Sequence, residues 1–569
     1  MLRLSYLIVV ILCMVPTIPG ITGVVLSSLG YIPPLGMHSF SLDGYTQLFS
    51  WQGVFTSIRL TVVTSLVSTL LAGIAAFSIL QSSWGGRRWR RIELCLSPLL
   101  SIPHVAYAIG FAFLFAPTGL GARALLQWFG IDLNDAVDQS LATLVKDPYG
   151  LGLIVMLTLK EIPFLLLMSI PVLKQLEVEK VTRVGLSLGY KQRHIWWKAL
   201  FAQWLTKMRF PLLAVLAYGV SVVDVALIIG PTNPPTFAVL VWQWFNDPDL
   251  VLLPRASAGA MLLFVIAGGV IAIQRVVEWL VTKGLRYWQY SGRHGLYLPG
   301  LSLFGVILTI SGLMLPLMML WSVAHRWRFP DLLPSRYSFS FWQYEWAGIV
   351  GTIEQSLILA VISSSVALIL AIIAHEYRIK YRLQVPGYLI AVPMLIPQLS
   401  LLFGLQVVTL HVQSSAYWLW VCWSHIFFAF PFVYLALDGP WRAYHSGYTR
   451  LALSLGKHPI TVFFMIKFPQ LRSAVLFAWA VGASVSLAQY LPTLVLGAGR
   501  VSTLTTEAVA LSSGFDRRVT AIYAIWQALL PLIFFAFAIV FSRLSMKKQR
   551  PVQKDLLTHE SVSNKPHHL

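Results

Sequence analysis

The chain has 569 residues, of which 57% are hydrophobic and only 11% charged, with a mean hydropathy of +0.72. Soluble domains carry about 45–50% apolar and about 25% charged residues, so a string of soluble domains is excluded and a polytopic membrane protein is expected. The formal charge of +20 would suit a nucleic-acid ligand, but the basic residues are distributed as a topology signal, and no nucleic-acid partner is expected.

Uninterrupted apolar stretches of about 20 residues are long enough to cross a bilayer as helices. They fall near 4–30, 54–80, 92–116, 149–173, 210–230 and 256–281, then near 300–323, 350–374, 386–410, 416–438, 472–496 and 519–542. This is an all-α fold of about twelve spans. The first stretch follows Arg3 like a signal peptide, yet it is too long for a signal core and has no convincing cleavage site, so it is read as a span.

With the N-terminus inside, the segments placed in the cytoplasm hold most of the Lys and Arg. These are Arg87, Arg88, Arg90 and Arg91; the stretch 174–209; Lys283, Arg286 and Arg293; and Arg378, Lys380 and Arg382. The stretch from Arg442 to Arg472 and a tail with Lys547, Lys548 and Arg550 continue the pattern, whereas external segments such as "IDLNDAVDQ" and "WFNDPDL" are acidic. Both termini are therefore expected in the cytoplasm. Cys13, Cys95 and Cys422 all fall in spans without metal-like spacing, so neither a disulfide framework nor a metal site is expected. The polar tail 543–569 reads as disordered, with His567 and His568 solvated.

One basic segment occurs twice. "TRVGLSLGYKQRHIWW" begins at Thr182, and "TRLALSLGKHPITVFF" begins 267 residues later at Thr449. Thr182/Thr449, Arg183/Arg450, Leu186/Leu453, Ser187/Ser454, Leu188/Leu455, Gly189/Gly456, Phe201/Phe468 and Gln203/Gln470 are identical pairs. Upstream, "SIPHVAYAIG" is matched by "LIPQLSLLFG", and "EIPFLLL" by "FPFVYLA". Internal repetition of this kind sets the architecture. Six spans per copy is an even number, so the halves are parallel repeats: 1–295 with its loop at 174–209, and 296–542 with its loop at 439–471. The boundary falls in the turn "YSGRHGLYLPG".

Within the repeated segment, Val181, Val184, Gly185 and Leu188 follow helical spacing, as do Tyr448, Leu451, Ala452 and Leu455. Gly189 and Gly456 sit where a helix C-cap is expected, and an aromatic-rich return helix follows each. The spacing predicts a rigid cytoplasmic hairpin suited to docking a partner; a lipid-surface helix is the blander alternative.

The segment resembles the "EAA" loop of permease subunits in binding-protein-dependent ABC importers, with Gly189 and Gly456 at the central glycine and Pro469 at the terminal proline. Arg183 and Arg450 replace the acidic residue, Val184-Gly185 and Leu451-Ala452 replace the alanines, and Ala202 replaces the first proline. The whole chain is similar to two fused type I permease halves, as in ferric-iron, thiamine and uncharacterised fused permeases. The resemblance implies an inner-membrane subunit that forms the translocation path. It also implies a soluble binding protein outside and two copies of a P-loop ATPase docked on Thr182, Arg183, Leu186, Ser187, Gly189, Thr449, Arg450, Leu453, Ser454 and Gly456. ATP would be used by that partner. No G-x-x-x-x-G-K-[ST] loop occurs in the chain, which is expected to bind no cofactor and to catalyse nothing itself.

Ionisable and polar residues inside spans are candidates for the path, since burying them in lipid is costly. They are His104, Lys160, Glu161, Asp224 and Gln398. The competing reading makes them helix-packing groups satisfied by neighbours. An ion-driven secondary transporter is the rival function, but "WGGRRWRR" has the arginines of such a carrier's loop without its Asp. A membrane enzyme would need clustered His and carboxylates, and no His-x-x-x-His or Glu-x-x-His occurs. The substrate is left open among ferric iron, thiamine, polyamines and other small solutes.

Overall fold

The computed structural model describes residues 2–133, 144–290, 298–381, 393–412, 415–514 and 516–562. Arg293, Arg382, His567, His568, much of the acidic "IDLNDAVDQ" segment and most of the expected boundary turn lie outside them. Apart from a short antiparallel ribbon of Ala324–Arg326 and Arg336–Tyr337, the described elements are helical. A chain this apolar has to satisfy its backbone internally, and helices do so within each segment.

The N-terminal series runs α1 (Leu2–Cys13), α2 (Thr17–Ser28), α3 (Val54–Ser83), α4 (Arg87–Ser101), α5 (His104–Phe115) and α6 (Leu151–Gln175). It continues with α7 (Val178–Ser187), α8 (Arg209–Ser221), α9 (Asp224–Ile229), α10 (Phe237–Phe245) and α11 (Leu253–Trp279). The C-terminal series runs α12 (Gly300–Val323), α13 (Ser340–Lys380), α14 (Gln398–Val412), α15 (Tyr417–Ala443) and α16 (Gly447–Ser454). It ends with α17 (Phe468–Leu487), α18 (Leu491–Gly497), α19 (Leu504–Ser512) and α20 (Arg517–Val562).

Among the described residues, ten helical stretches are long and apolar enough to cross a membrane, and Arg209–Ser221 and Gln398–Thr409 are shorter apolar helices. Each of the twelve overlaps an expected span, those at His104–Phe129 and Pro459–Leu487 only in part, and residues 386–392 of the expected ninth span lie outside the described ones; several are not continuous rods. The expected fifth span stops at Ser221 and restarts at Asp224, and the eleventh stops at Leu487 and restarts at Leu491. The third is interrupted between Ser101 and His104, because Pro103 supplies no amide hydrogen to the ladder. α20 stays helical to Val562, well into the segment expected to be disordered.

Two hydrogen bonds show how closely the series repeat. Phe237 N donates to Thr61 Oγ1 (2.7 Å), and Leu504 N donates to Ser356 Oγ (2.9 Å). Each is made at the start of the second helix after the break, α10 or α19, and each uses a hydroxyl on a stripe of small residues, such as Ser65, Ala72 and Ala76 on α3 and Ser363, Ala367 and Ala371 on α13. Small residues let membrane helices approach closely where lipid provides no hydrophobic drive.

The first helices of each series cross over. α2 packs most extensively on α14 and also on α11, while α12 packs on α3, α5 and α20. Accordingly Val9 and Cys13 join an otherwise C-terminal core with Ala371, Phe430 and Trp441, and Phe304 and Ile307 join an otherwise N-terminal core around Phe77 and Trp204. A third core is shared by both series. At the α2–α14 crossing, a Cβ on Gly404 would overlap the Gly20 carbonyl, and one on Gly23 would meet the Gly404 carbonyl at 2.6 Å. Gly404→Val should therefore force the helices apart and destabilise the protein by about 1–3 kcal/mol, the usual cost of overpacking. A thermal midpoint in detergent equal to that of the wild type would show that this contact does not hold the two series together.

Candidate functional site

The repeated segments fold alike. α7 and α16 each end in a residue-for-residue Schellman motif: Tyr190 N donates to Gly185 O (3.0 Å) and Gly189 N to Leu186 O (3.0 Å), as Lys457 N does to Ala452 O (3.2 Å) and Gly456 N to Leu453 O (3.0 Å). The turn needs a left-handed residue, supplied by Gly189 at φ +79 and Gly456 at φ +76. Ser187 Oγ and Ser454 Oγ bond back to Val184 O and Leu451 O at 2.8 and 2.7 Å.

The expected apolar stripe is divided between two faces. Val178, Val181, Thr182 and Gly185 lie toward the return helix, where a Cβ on Gly185 would meet Ile195; Ala452 takes the same inward place and Thr449 Oγ1 pairs with Tyr444 OH at 2.8 Å. Val184, Leu186 and Leu188 are exposed, as are Tyr448, Leu451, Leu453 and Leu455, with Arg183 and Arg450 beside them. Thr182 and Thr449 thus belong to the packed side. Removing the side chain at 185 and shortening it at 452 seats each helix on its return helix and turns the leucines outward. The return helices carry π-helical turns at Ile195–Leu200 and Phe463–Lys467, a distortion that recurs at functional sites.

The hairpins are anchored differently. Phe77 of α3 lies 4.9–5.6 Å from the rings of Trp196, Trp197, Phe201 and Trp204. Trp197 Nε1 donates to Gln81 Oε1 and Trp204 Nε1 to Ser169 Oγ, each at 2.9 Å. In the second hairpin Trp441 Nε1 donates to Glu376 Oε1 (2.9 Å), and the buried Lys467 ammonium also donates to that oxygen, above the rings of Trp441 and Tyr444. Arg378 pairs with Asp438 at 2.6 Å nearby. Gln81 and Glu376 are spaced like the capping pair Thr61 and Ser356, so one structural position holds an amide in one series and a carboxylate in the other.

Four of the five intramembrane candidates gather where the series meet. His104 Nε2 is 2.9 Å from Glu161 Oε1 and its ring is 4.6 Å from Tyr218. Asp224 begins α9 immediately after the helix break. Gln398 Nε2 donates to Gln489 Oε1 at 2.8 Å, beside the matching break of the C-terminal series. Lys160 is turned away: its Nζ donates to Leu99 O (3.0 Å), satisfying a carbonyl freed at the end of α4. It forms no ion pair with Glu161. His104→Ala would leave the nearly buried Glu161 without its side-chain partner, for an expected loss of about 2–3 kcal/mol, below that of a fully buried pair because His104 is itself partly exposed. His104→Gln, which can still donate, should recover most of the midpoint in a detergent melt; no difference between the variants would assign the loss to packing.

Tyr218, Gln489 and Tyr490 escape a search for charged residues in spans, as does His425, whose ring nitrogens reach Ser486 Oγ (2.8 Å) and Thr493 Oγ1 (2.9 Å) across the same break. Their available signal is position: Gln489 and Tyr490 stand 267 residues after Val222 and Val223, at the repeat's own spacing.

No protein-family model matches the chain. It is 31% identical over 514 residues to the inner membrane ABC transporter permease protein YnjC of Escherichia coli strain K12, covering 87% of this chain and 91% of that protein.

Proposed function

The chain belongs to the ABC transporter permeases and is a multi-pass inner-membrane protein, and from that premise we propose that it is the complete membrane part of an importer. Residues 1–295 and 296–542 act as fused halves, with the path along their seam. The observation that carries this reading is the pair of hairpins. They lie six membrane passages apart, so both project from one face, and each presents exposed leucines beside a glycine-capped turn. Two copies of a separate P-loop ATPase dock there, on Thr182–Gly189 and Thr449–Gly456. Their closure on ATP pushes each hairpin, and Phe77 or Glu376 passes that push to α3 or α13. The Lys and Arg bias supports a cytoplasmic position for this face and both termini. A soluble binding protein delivers the solute to the opposite face. The chain itself hydrolyses nothing and binds no cofactor.

Affinity purification of the tagged chain from its native membranes in mild detergent tests this reading. The expected result is a P-loop ATPase at twice the molar amount of the chain, with ATP turnover that falls when the hairpins are altered. Recovery of the chain alone, combined with solute uptake driven by an ion gradient and abolished by Asp224→Asn, would replace this reading with the secondary-transporter one.

A further inference from the structure

One corner that is closed in the N-terminal series is open in the C-terminal one. Thr61 and Ser356 make the same bond, so Gln355 stands where Leu60 does. Thr236 and Thr503 precede the equivalent helices α10 and α19, so Arg500, Val501 and Ser502 stand where Asn233, Pro234 and Pro235 do. In the N-terminal series Leu60 is buried, and a Cβ on Gly150, the residue before α6, would meet Thr64 of α3. In the C-terminal series the same corner is a cleft of about 420 Å³.

The cleft is lined by groups of two kinds. Gln355, Ser415, Arg500 and Ser502 are polar, while Trp418 and Val501 belong to a small apolar core with Leu359 and Val421. The exposed Arg500 guanidinium lies over the Tyr417 ring, 4.5 Å from its centroid, and has no carboxylate partner among the described residues. Glu354, next to Gln355, is exposed and does not line the cleft. The helix starts at this corner differ as well. In the N-terminal series Leu151 N and Gly152 N of α6 donate to the buried Asp147 carboxylate at 2.6 and 2.9 Å. α15 begins without a side-chain cap, and the sequence 411–419 holds no Asp or Glu. One series thus carries its own anion here, and the other carries a cation instead.

The corner lies at the depth of lipid headgroups. Residues 356–374 of α13 include no Asp, Glu, Lys or Arg. At 1.5 Å per residue they make about 28 Å of helix, close to the ~30 Å of a hydrocarbon layer, and Gln355 stands at one end of that run. α15 starts at Tyr417 and ends at Ala443, just before the second hairpin, so the cleft faces the leaflet on the side away from the hairpins. Tyr and Trp are enriched at this depth.

We propose that the cleft binds a phosphate ester, carried by a phospholipid of that leaflet. Arg500 pairs with the phosphate oxygens, which match the guanidinium fork. Gln355, Ser415 and Ser502 bond the glycerol and headgroup, and the acyl chains lie against Trp418 and the exposed Leu419. The lipid brings to the start of α15 the anion that Asp147 provides at α6. Such a site needs only a chain that spans a membrane, so it goes beyond the importer reading and does not depend on it.

The test uses the full chain purified in detergent. Its thermal midpoint is followed during titration with dioleoyl phosphatidylglycerol, and bound lipid is counted by native mass spectrometry. Dioleoylglycerol, which lacks the phosphate, and glycerol 1-phosphate, which lacks the chains, serve as comparisons. Phosphatidylglycerol should raise the midpoint saturably, with at least tenfold the apparent affinity of either comparison. Arg500→Gln should weaken that response at least tenfold, Arg500→Lys should keep part of it, and Arg336→Gln, at an exposed arginine of the same face, should leave it unchanged. If Arg500→Gln lowers the midpoint even without lipid, Gln355→Leu decides: it introduces the side chain of the N-terminal series and should reduce the affinity by closing the cleft. A response unchanged in Arg500→Gln and Gln355→Leu, an equal response to dioleoylglycerol, or no saturable response would overturn the proposal. Glycerol 1-phosphate binding as tightly as the lipid would overturn the lipid source and assign the cleft to a free phosphate ester.

Discussion

Leu188→Asp combined with Leu455→Asp should strip the ATPase from the chain while leaving the membrane fold intact. The two leucines are 63% and 72% exposed, so neither contributes much to the folded chain by itself, and surface substitutions away from special features usually change stability by only a few tenths of a kcal/mol. In a docked complex each would be buried. Full burial of a leucine is worth about 1.5–3 kcal/mol, and an aspartate in its place would also have to lose its water. With both hairpins altered, the expected weakening is on the order of a hundredfold or more per site, since about 1.4 kcal/mol is a factor of ten. The measurement is the ATPase:chain ratio after purification, beside the thermal midpoint of the chain alone. Replacing Gly189 and Gly456 together with valine should give a similar loss by another route. There φ values of +79 and +76 impose about 1–2 kcal/mol of strain on any L side chain, so the turn is re-formed and the leucines are re-aimed. A full ATPase ratio in the double aspartate variant would mean that the exposed leucines face lipid headgroups.

How much of this could be read from the sequence depends on whether a feature is local. The spans were readable because about 20 apolar residues in a row permit little else, and the hairpins because Gly189 and Gly456 close the same pattern twice. The break between Ser221 and Asp224 was not readable, since the residues on both sides are apolar and only Asp224 marks the restart. The crossing of α2 onto α14 left no trace either. Its contacts are glycines 20, 23 and 404, and small residues are common throughout membrane helices, whether or not they form an interface. The partner of Lys160 was unreadable for a related reason: it is the carbonyl of Leu99, and a backbone group gives no indication of itself in the sequence. His104 and Glu161, by contrast, were both singled out, though nothing in their separation foretold that they would pair.

The different anchoring of the two hairpins leads to the second large expected effect. Phe77→Ala should cost about 3–5 kcal/mol, the range for removing a buried aromatic, because four rings rest on it and each such pair adds about 0.5–1.5 kcal/mol beyond its buried area. The cost should appear in one place: hydrogen exchange should accelerate over 176–209 and not over 444–470. The second hairpin should fail by a different route. Glu376→Gln would leave the Lys467 ammonium, whose side chain is 6% exposed, without its carboxylate. The loss should be about 2–3 kcal/mol, below that of a fully buried pair because Glu376 is itself partly exposed. Adding Lys467→Met should then return most of the stability, since a pair replaced on both sides by uncharged groups leaves no buried charge. The rescue is a coupling energy that a double-mutant cycle reads directly, and no second substitution around Phe77 should give its equivalent. If Glu376→Gln and Lys467→Met instead add, the two residues act separately. The second hairpin would then be held, like the first, by its rings, among them Trp441 and Tyr444 against the aliphatic stem of Lys467.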